Sequence, residues 1–451
     1  MFQKEQWREI VKVATPVVIS KLSFTMMGIV DTAMVGRLGA SEQAAVGIAT
    51  TFMFTLYVFG LGLIGVVNTL VSQYHGAGKP QMCGIVLGHG LRLSTVIGAV
   101  TWLALFYSAP LFKLAGLSDS VAVFGYEYLL FRIIGLFGVF WFWTYNAFME
   151  GIGDTRTPMW ITLAGNAVNI ILDYMMIFGF GPIPAMGVAG AGLATALCNL
   201  FILTCFLVIT HRPGSIYRKS YGVDVLFSPI RWPLIRNMLR TGMPMGVQFL
   251  MEVGAYLFFS VVVGWVGDTA LAANQVAIRV MSISFMVAFG IGVAATTLVG
   301  RHQGERRTDL ALTAGRRSIL LMFTYSLACG ILFLLAGSGL AGLFTPVREV
   351  AEAAVSLLYI AAVFQIFDGI NMVGYGALRG AGDTRWPLWV VILVHWGIGV
   401  PLVYYLTITA NLGVTGTWMG MCIMMLCQAA LILYRFESGR WKAIQLVDVV
   451  Q

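Results

Sequence analysis

Four carboxylates lie inside long apolar stretches of this sequence: Asp31, Asp173, Glu252 and Asp368. An ionised side chain at the centre of a bilayer costs about 2.5–3.5 kcal/mol on insertion scales, so such residues usually face the interior of a helix bundle and are functional. Carboxylate oxygens bind small hard cations, and a carboxylate can also take up a proton reversibly. The four acids therefore predict buried sites for a cation or a proton.

In the first half of the chain, other oxygen-bearing side chains can complete a shell around the acids. Asn169 and Asp173 are four residues apart and share one face of a helix. Asn146 and Thr195 lie in neighbouring predicted helices, although Asn and Thr also serve as ordinary interhelical hydrogen-bonding groups. We predict that Asp31, Asn169, Asp173, Thr195 and Asn146 form a cation-coupling site, which can hold Na⁺ or a proton.

In the second half, Glu252 and Asp368 come from two different predicted helices. Two carboxylates in a dry cavity raise each other's affinity for protons or cations, so we predict a second coupling site there. The alternative for all four acids is structural pairing with a cation inside or near a predicted helix, and the candidates are Lys21, Arg132 and Arg279.

Aromatic side chains suggest a surface for flat organic cations. Trp141, Trp143 and Tyr145 follow one another along a predicted helix, and Phe364 lies one turn before Asp368. Aromatic rings can hold organic cations over their faces. The alternative, which we favour, is that these rings contact lipid or pack against other helices.

The composition requires a lipid environment around these residues. Of 451 residues, 59% are hydrophobic and 11% are charged, whereas a soluble globular chain is about 25% charged. A hydrocarbon core is crossed by about 20 apolar residues. Twelve runs of this kind predict an all-α integral membrane protein with spans near 11–35, 44–72, 84–108, 121–148, 157–179, 186–210, 236–264, 272–299, 313–336, 350–377, 387–408 and 412–434.

The connecting segments alternate sharply in positive charge. Arg37, Lys113 and Arg348 are the cations on one side of the predicted bilayer. The other cations that we assign to loops, Arg92 and Arg379 among them, fall on the opposite side. Positively charged loops stay in the cytoplasm, so we expect both termini to be cytoplasmic.

The chain contains two copies of one six-helix pattern. Gly151-Ile-Gly-Asp-Thr-Arg-Thr-Pro-Met-Trp160 matches Gly380-Ala-Gly-Asp-Thr-Arg-Trp-Pro-Leu-Trp389 at seven of ten positions, and a shift of 228 residues aligns Pro16 with Pro244. Because each copy has an even number of spans, the repeats are parallel, as in many secondary transporters. We predict an N-terminal lobe over 1–210, a cytoplasmic linker over 211–235 and a C-terminal lobe over 236–451.

The matched Gly-Asp-Thr-Arg blocks fall on predicted cytoplasmic loops. One interpretation is a gate in which Asp154 and Asp383 pair with basic groups. The other, which we favour, is a tight turn in which glycine supplies an unusual backbone angle, the aspartate caps and Pro158 or Pro387 begins the next helix. The acids inside the spans do not follow the repeat, because their partners in the other copy are Phe259, Leu402, Phe24 and Val139.

Three motifs stand out: Pro16 followed by Gly28-Ile-Val-Asp31-Thr-Ala-Met-Val-Gly36, Gln248-Phe-Leu-Met-Glu252, and Asp368 followed by Gly376-Ala-Leu-Arg-Gly380. They resemble motifs of the MATE (multidrug and toxic compound extrusion) family, and Glu252 with Asp368 points to its NorM-type branch. The resemblance covers nearly the whole chain. It implies V-shaped lobes around a central cavity, a first-lobe cation site at Asp31, Asn169, Asp173 and Thr195, and a second-lobe site at Glu252 and Asp368. Some NorM-type members carry a tyrosine where this chain has Phe364, and the resemblance does not explain Lys21.

These observations lead us to expect a Na⁺- or H⁺-coupled antiporter that exports organic cations and drugs through the inner membrane of a prokaryote. We expect a multi-pass monomer in the lipid bilayer, with no cofactor and no nucleic-acid partner. No nucleophile–base set, phosphate loop or metal cluster is evident, so we do not expect an enzyme. The alternatives are a lipid-linked precursor flippase of the same superfamily, for which we would expect a more cationic cavity, and a non-transporting receptor or scaffold.

Overall fold

A computed structural model describes residues 2–108, 110, 118–223 and 229–447 of the chain. Lys113 and residues 224–228 of the predicted linker lie outside the described residues. Within them, twelve helical segments are long and apolar enough to cross a membrane. The prediction of twelve spans in an all-α membrane protein is therefore confirmed.

Apart from α1, which begins at Phe2 rather than near residue 11, the helices of the first half begin and end within a few residues of the predicted spans. They are α1 (Phe2–Val35), α2 (Ala40–Ile64), α3 (Val66–Gly76), α4 (Pro80–Phe106), α5 (Asp119–Arg132), α6 (Leu136–Ile152), α7 (Arg156–Phe178), α8 (Gly187–His211) and the short α9 (Ile216–Tyr221).

The helices of the second half follow the same order of spans. They are α10 (Trp232–Val266), α11 (Asp268–Gly304), α12 (Thr308–Gly342), α13 (Arg348–Ala381), α14 (Arg385–Val391), α15 (Val400–Tyr404) and α16 (Gly413–Glu437). The eleventh span is unusual because two π-helical segments, Ile392–Gly399 and Tyr405–Thr409, flank α15.

Two compact units make up the chain, and their boundaries differ from those of the repeated halves. One unit consists of Ile19–Gly242, and the other combines the residues before 19 with those after 242. The predicted lobes describe the sequence repeat, whereas the contacts divide the long helices α1 and α10. These helices have 34 and 35 residues, or about 50 Å each, which exceeds the roughly 30 Å of a hydrocarbon core.

Residues 19–242 form one unit, here called the 19–242 unit, around a core of aliphatic and aromatic side chains. Tyr57, Tyr128 and Phe140 belong to this core. The first turns of α10 belong to it as well: a Cβ on Gly242 would lie only 2.8 Å from the carbonyl oxygen of Leu63. Small residues here let the backbones approach closely, as is common between membrane helices.

The other unit, here called the composite unit, includes the first turns of α1. Ile10, Val13 and Ala14 share its core with side chains of α11 and α13. Glu9 accepts a 2.9 Å hydrogen bond from Arg301 in an ion pair. The cytoplasmic end predicted for α1 is therefore anchored in the composite unit by both apolar packing and charge.

A Gly-x-x-x-Gly pair fixes the helix that carries Asp368. Cβ atoms on Gly376 and Gly380 of α13 would lie 2.2 and 2.4 Å from the carbonyl oxygens of Gly292 and Thr296 on α11. The Thr296 hydroxyl also donates a 2.9 Å hydrogen bond to the Gly376 carbonyl. Only glycine at these positions permits this spacing between the helices.

The Gly-Asp-Thr-Arg blocks form tight turns that begin the next helix. Gly153 and Gly382 end α6 and α13 with φ of 87° and 91°. Asp154 then accepts a 3.1 Å hydrogen bond from the Thr157 backbone, and Asp383 accepts one of 3.4 Å from the Trp386 backbone. This geometry matches the turn interpretation.

Asp154 and Asp383 differ in the side chain that each one contacts from outside its own turn. Asp154 accepts a hydrogen bond from the Tyr217 hydroxyl, and burial together with this contact raises the pKa of Tyr217 to about 12. Asp383 pairs instead with Arg435, whose Nε lies 2.7 Å from Oδ2. The pairing with a basic group that the gate interpretation requires is present only at the second turn among the described contacts.

Candidate ion-binding sites

Asp31 and Asp173 lie next to each other inside the 19–242 unit. Asp31 comes from α1 and Asp173 from α7, and their side chains are within direct interaction range. Both are buried, with 6% and 0% of their surface exposed. Two ionised carboxylates in contact repel each other, so this arrangement favours a bound cation or proton between them.

The oxygens around this pair are available to a ligand. Asp31 Oδ1, both carboxylate oxygens of Asp173 and Asn169 Oδ1 are buried and accept no hydrogen bond from any described residue. Thr195 on α8 donates to Asp31 Oδ2 at 3.3 Å, and its hydroxyl also lies 3.0 Å from the Ala191 carbonyl. Asp31, Asn169, Asp173 and Thr195 are therefore brought together as predicted, with a donor set that fits a small cation or a proton.

Asn146 belongs to a different cluster. Its amide donates a 2.7 Å hydrogen bond to Oε1 of Glu150, which lies one turn further along α6. Glu150 is 7% exposed, hydrogen-bonds Asn68 and interacts electrostatically with Lys21. The prediction that Asn146 completes the shell of Asp31 is corrected, because a carboxylate on its own helix is the nearer acceptor. The structure also gives Lys21 a partner, and this partner is none of the four acids.

Arg132, the last residue of α5, is the cation that interacts with the first acid pair. Its guanidinium Nη1 donates to the hydroxyl of Tyr128, and its Cζ lies 5.4 Å from the centre of that ring. It is also electrostatically coupled to Asp31. The sequence raised Arg132 as a pairing candidate, but the intervening tyrosine was not foreseen.

Glu252 and Asp368 interact inside the composite unit. Glu252 on α10 accepts a 3.0 Å hydrogen bond from Gln248, one turn earlier, and is electrostatically coupled to Asp368 on α13. Tyr256, one turn after Glu252, interacts with both acids. The pair predicted from the sequence is thus assembled, and Tyr256 supplies a hydroxyl near the acids although position 364 is a phenylalanine.

Arg379 is a residue of this site that the sequence analysis placed in a loop. It lies within α13, is 9% exposed and is electrostatically coupled to Glu252. Its Cζ lies 4.7 Å from the Phe249 ring and 5.6 Å from the Tyr375 ring. The loop assignment was wrong because the apolar run ends at its charges while the helix continues to Ala381. Arg92 was also assigned to a loop, although it falls inside the predicted span 84–108, and it lies within α4.

The aromatic residues proposed for a substrate surface divide into packed and accessible ones. Tyr145 is fully buried beside Phe206, with ring centres 6.0 Å apart, and Phe364 is buried at 4% exposure against Trp418. Neither side chain is open to a ligand, so the structure does not support a place for Tyr145 or Phe364 in a substrate surface and agrees with the packing interpretation favoured above. Trp141 is only partly buried, and its indole donates a 2.9 Å hydrogen bond to Thr95.

In the described part of the chain, no group of three or more His, Cys, Asp or Glu side chains lies close enough together to hold a metal ion. The acids of the two sites are present as pairs: Asp31 with Asp173, and Glu252 with Asp368.

Comparison with known proteins supports this division into repeats. A profile of the MatE family matches residues 16–175 and again residues 244–405, so the two matched segments start at the aligned prolines. A probable multidrug resistance protein NorM from Bradyrhizobium diazoefficiens is 32% identical over 96% of this chain and 93% of its own length. The multidrug resistance protein NorM of Burkholderia vietnamiensis is also 32% identical, over 94% of this chain and 92% of its own.

Solved structures share the fold. The crystal structure of a MATE protein in a bent conformation superimposes with a TM-score of 0.88 at 22% identity and covers 96% of both chains. Twelve apolar helices in two parallel repeats, with the buried Asp31–Asp173 pair in one and the partly exposed Glu252–Asp368 pair in the other, define a polytopic membrane protein of the secondary-transporter type. The chain belongs to the MatE family, and its similarity to the NorM proteins places it in the NorM-type branch.

Proposed function

We propose that this chain exports organic cations, including drugs, from the cytoplasm in exchange for Na⁺ or protons. The observation that carries the proposal is the buried Asp31–Asp173 pair. Asp31 Oδ1 and both carboxylate oxygens of Asp173 find no hydrogen-bond donor among the described residues. A buried carboxylate without a partner is costly, so the pair favours a state in which a cation or proton is bound. The family and the names of the NorM relatives support the export of drugs.

The mechanism is alternating access, in which ion and drug favour opposite states. A ligand shifts such an equilibrium only by its differential affinity for the two states. Ion binding at Asp31–Asp173 and at Glu252–Asp368 favours the state that releases drug outside, and drug binding from the cytoplasm favours the reverse. Negative carboxylates in the path explain a preference for cationic substrates.

The orientation in the membrane follows from the distribution of positive charge. Most Lys and Arg residues outside the apolar runs fall on the side of the two Gly-Asp-Thr-Arg turns and of both termini. By the positive-inside rule this side is cytoplasmic. The protein is therefore proposed to lie in the inner membrane with both termini in the cytoplasm.

The test is efflux of a fluorescent organic cation from proteoliposomes under an imposed sodium gradient or an imposed pH gradient, each alone. We expect one gradient to drive efflux, and we expect Asp31→Asn and Asp368→Asn to lose at least about 90% of the driven rate. Asp309→Asn is the matched control, because the side chain of Asp309 is 96% exposed. Driven efflux that is unimpaired in Asp31→Asn or Asp368→Asn would show that the substituted residue is not part of a coupling site. Absence of efflux under both gradients would contradict the function.

A further inference from the structure

Each unit holds an arginine that lies on the ring of the tyrosine one turn before it. In the 19–242 unit these are Tyr128 and Arg132, with Cζ 5.4 Å from the ring centre. In the composite unit they are Tyr375 and Arg379, at 5.6 Å, and the guanidinium also lies 4.7 Å from the Phe249 ring. The repeat does not produce this likeness, because the register that aligns Gly151 with Gly380 pairs Arg132 with Ala361 and Arg379 with Glu150.

Both guanidinium groups are near the acids without forming a direct ion pair. Arg132 is electrostatically coupled to Asp31, and Arg379 to Glu252, yet neither makes a close contact to a carboxylate among the described ion pairs. The Nε of each arginine is buried without a hydrogen-bond acceptor among the described residues. Each guanidinium therefore keeps an unused donor, and in the 19–242 unit the nearby Asp31 and Asp173 also keep unused acceptors.

The two sites contain the same number of charged groups, two carboxylates and one guanidinium each. A guanidinium stays protonated at every pH that a protein experiences. One arginine beside two carboxylates leaves a single uncompensated negative charge in each unit. A second bound cation would give the buried cluster a net positive charge, which a low-dielectric environment disfavours.

We propose that Arg132 and Arg379 are tethered competitors of the coupling ion, which limit each acid pair to one monovalent cation or one proton. When the ion is bound, the guanidinium rests on its tyrosine; when the ion leaves, the guanidinium turns to the carboxylates and replaces its charge. The inference rests on the proposed function, because it takes the acid pairs to be the ion sites. Beyond the proposed function, it states that each unit binds only one positive charge, and it assigns a role to two arginines and two tyrosines.

The test is ²²Na⁺ binding to the purified full-length protein in nanodiscs, with proton uptake measured separately in sodium-free buffer. The titratable or charged groups that face the arginines are Asp31, Asp173, Tyr57, Tyr128 and Cys198 in one unit and Glu252 and Tyr375 in the other. Arg132→Gln and Arg379→Gln remove the competitor, so we expect the wild-type capacity of one charge per unit to rise and affinity to increase by at least about tenfold. Arg348→Gln is the matched control, since Arg348 is 90% exposed.

A second variant separates competition from mere loss of structure. Tyr128→Leu removes the ring on which Arg132 rests, so the arginine should pair with Asp31 and weaken ion binding by about tenfold. Competition thus predicts opposite changes in Arg132→Gln and Tyr128→Leu, whereas a general loss of folding weakens both. Unchanged affinity and capacity in both arginine variants would overturn the inference while leaving ion binding by the wild type intact. If the wild type binds neither Na⁺ nor protons, the proposed function itself fails.

Discussion

The Oγ1 atom of Thr195 lies 3.3 Å from Oδ2 of Asp31 and 3.0 Å from the carbonyl oxygen of Ala191. A hydroxyl has one hydrogen to donate, so these two acceptors compete for it. When a cation occupies the acid pair, the Thr195 hydroxyl can donate its hydrogen to the Ala191 carbonyl, and its oxygen lone pairs can face the ion. We therefore expect the acceptor of this hydrogen bond to depend on the charge state of Asp31.

Replacement of this threonine should weaken ion coupling without abolishing it. In Thr195→Val the Asp31 carboxylate loses a hydrogen-bond donor and the ion loses an oxygen, so we expect a loss of about 3- to 10-fold in apparent ion affinity. Ion-dependent efflux in proteoliposomes measures this affinity. Thr204→Val is the control, because Thr204 makes the same bond to a carbonyl four residues earlier on α8 and is exposed. Equal effects of the two substitutions would remove Thr195 from the site.

The Lys21–Glu150 interaction should stabilise the fold independently of the acid pair. Lys21→Met leaves the buried Glu150 carboxylate without its cation, and Glu150→Gln leaves a partly buried ammonium without its carboxylate. Each should lower the free energy of unfolding, by at least about 1 kcal/mol for Lys21→Met and by less for Glu150→Gln. The double variant leaves no uncompensated charge and should recover most of the loss, because the two sites are coupled. Thermal unfolding in detergent provides the measurement. Additive losses in the double variant would show that the two residues act separately.

The ion pair at the second turn should matter more than an exposed pair nearby. Asp383 and Arg435 have 5% and 18% of their side chains exposed, whereas Arg316 and Glu437 have 56% and 44%. Arg435→Gln leaves Asp383 buried without its cation and should cost about 2–4 kcal/mol. Arg316→Gln should cost less than about 1 kcal/mol, as exposed pairs do. Melting temperatures of the two variants decide this, and the reverse order would contradict the prediction.

The contact between α11 and α13 predicts a strong response to a single methyl group. In Gly376→Ala the new Cβ would lie 2.2 Å from the carbonyl oxygen of Gly292, so the two helices must move apart. We expect a loss of about 1–3 kcal/mol, as for overpacked cores. Gly264→Ala is the control, since a Cβ there meets no heavy atom within 4 Å. Replacing a helical glycine without strain should stabilise by about 0.4–1 kcal/mol. Equal melting temperatures for the two variants would contradict the close packing.

Hydropathy and repeats predicted the twelve spans and the acids, because apolar length and a charge within it are local properties of the chain. The partners of those acids depend on contacts between distant residues. Asp31 and Asp173 meet across two helices, and no local pattern fixes which faces of those helices approach. Asn146 was misplaced because its acceptor, Glu150, lies just beyond the predicted end of its span. A four-residue spacing between Asn146 and Glu150 was visible in the sequence and would have identified the pair.

Arg379 shows that a charge can also end a predicted span too early. Its charge ended the predicted span at residue 377, although the glycines on either side of it, Gly376 and Gly380, pack α13 tightly against α11. The tyrosine four residues earlier, Tyr375, is the signal in the sequence that could have marked it as buried. An arginine on an aromatic ring loses less on burial than one surrounded by aliphatic groups.

The division of α1 between the two units has a consequence for how the protein is made. Residues up to 18 leave the ribosome first, but the chain segments with which they pack begin at residue 243. At about 5–20 residues per second, those partners emerge roughly 10–45 s later. The start of α1 therefore enters the bilayer long before its final neighbours exist, and the composite unit closes only when synthesis of the second half is well advanced.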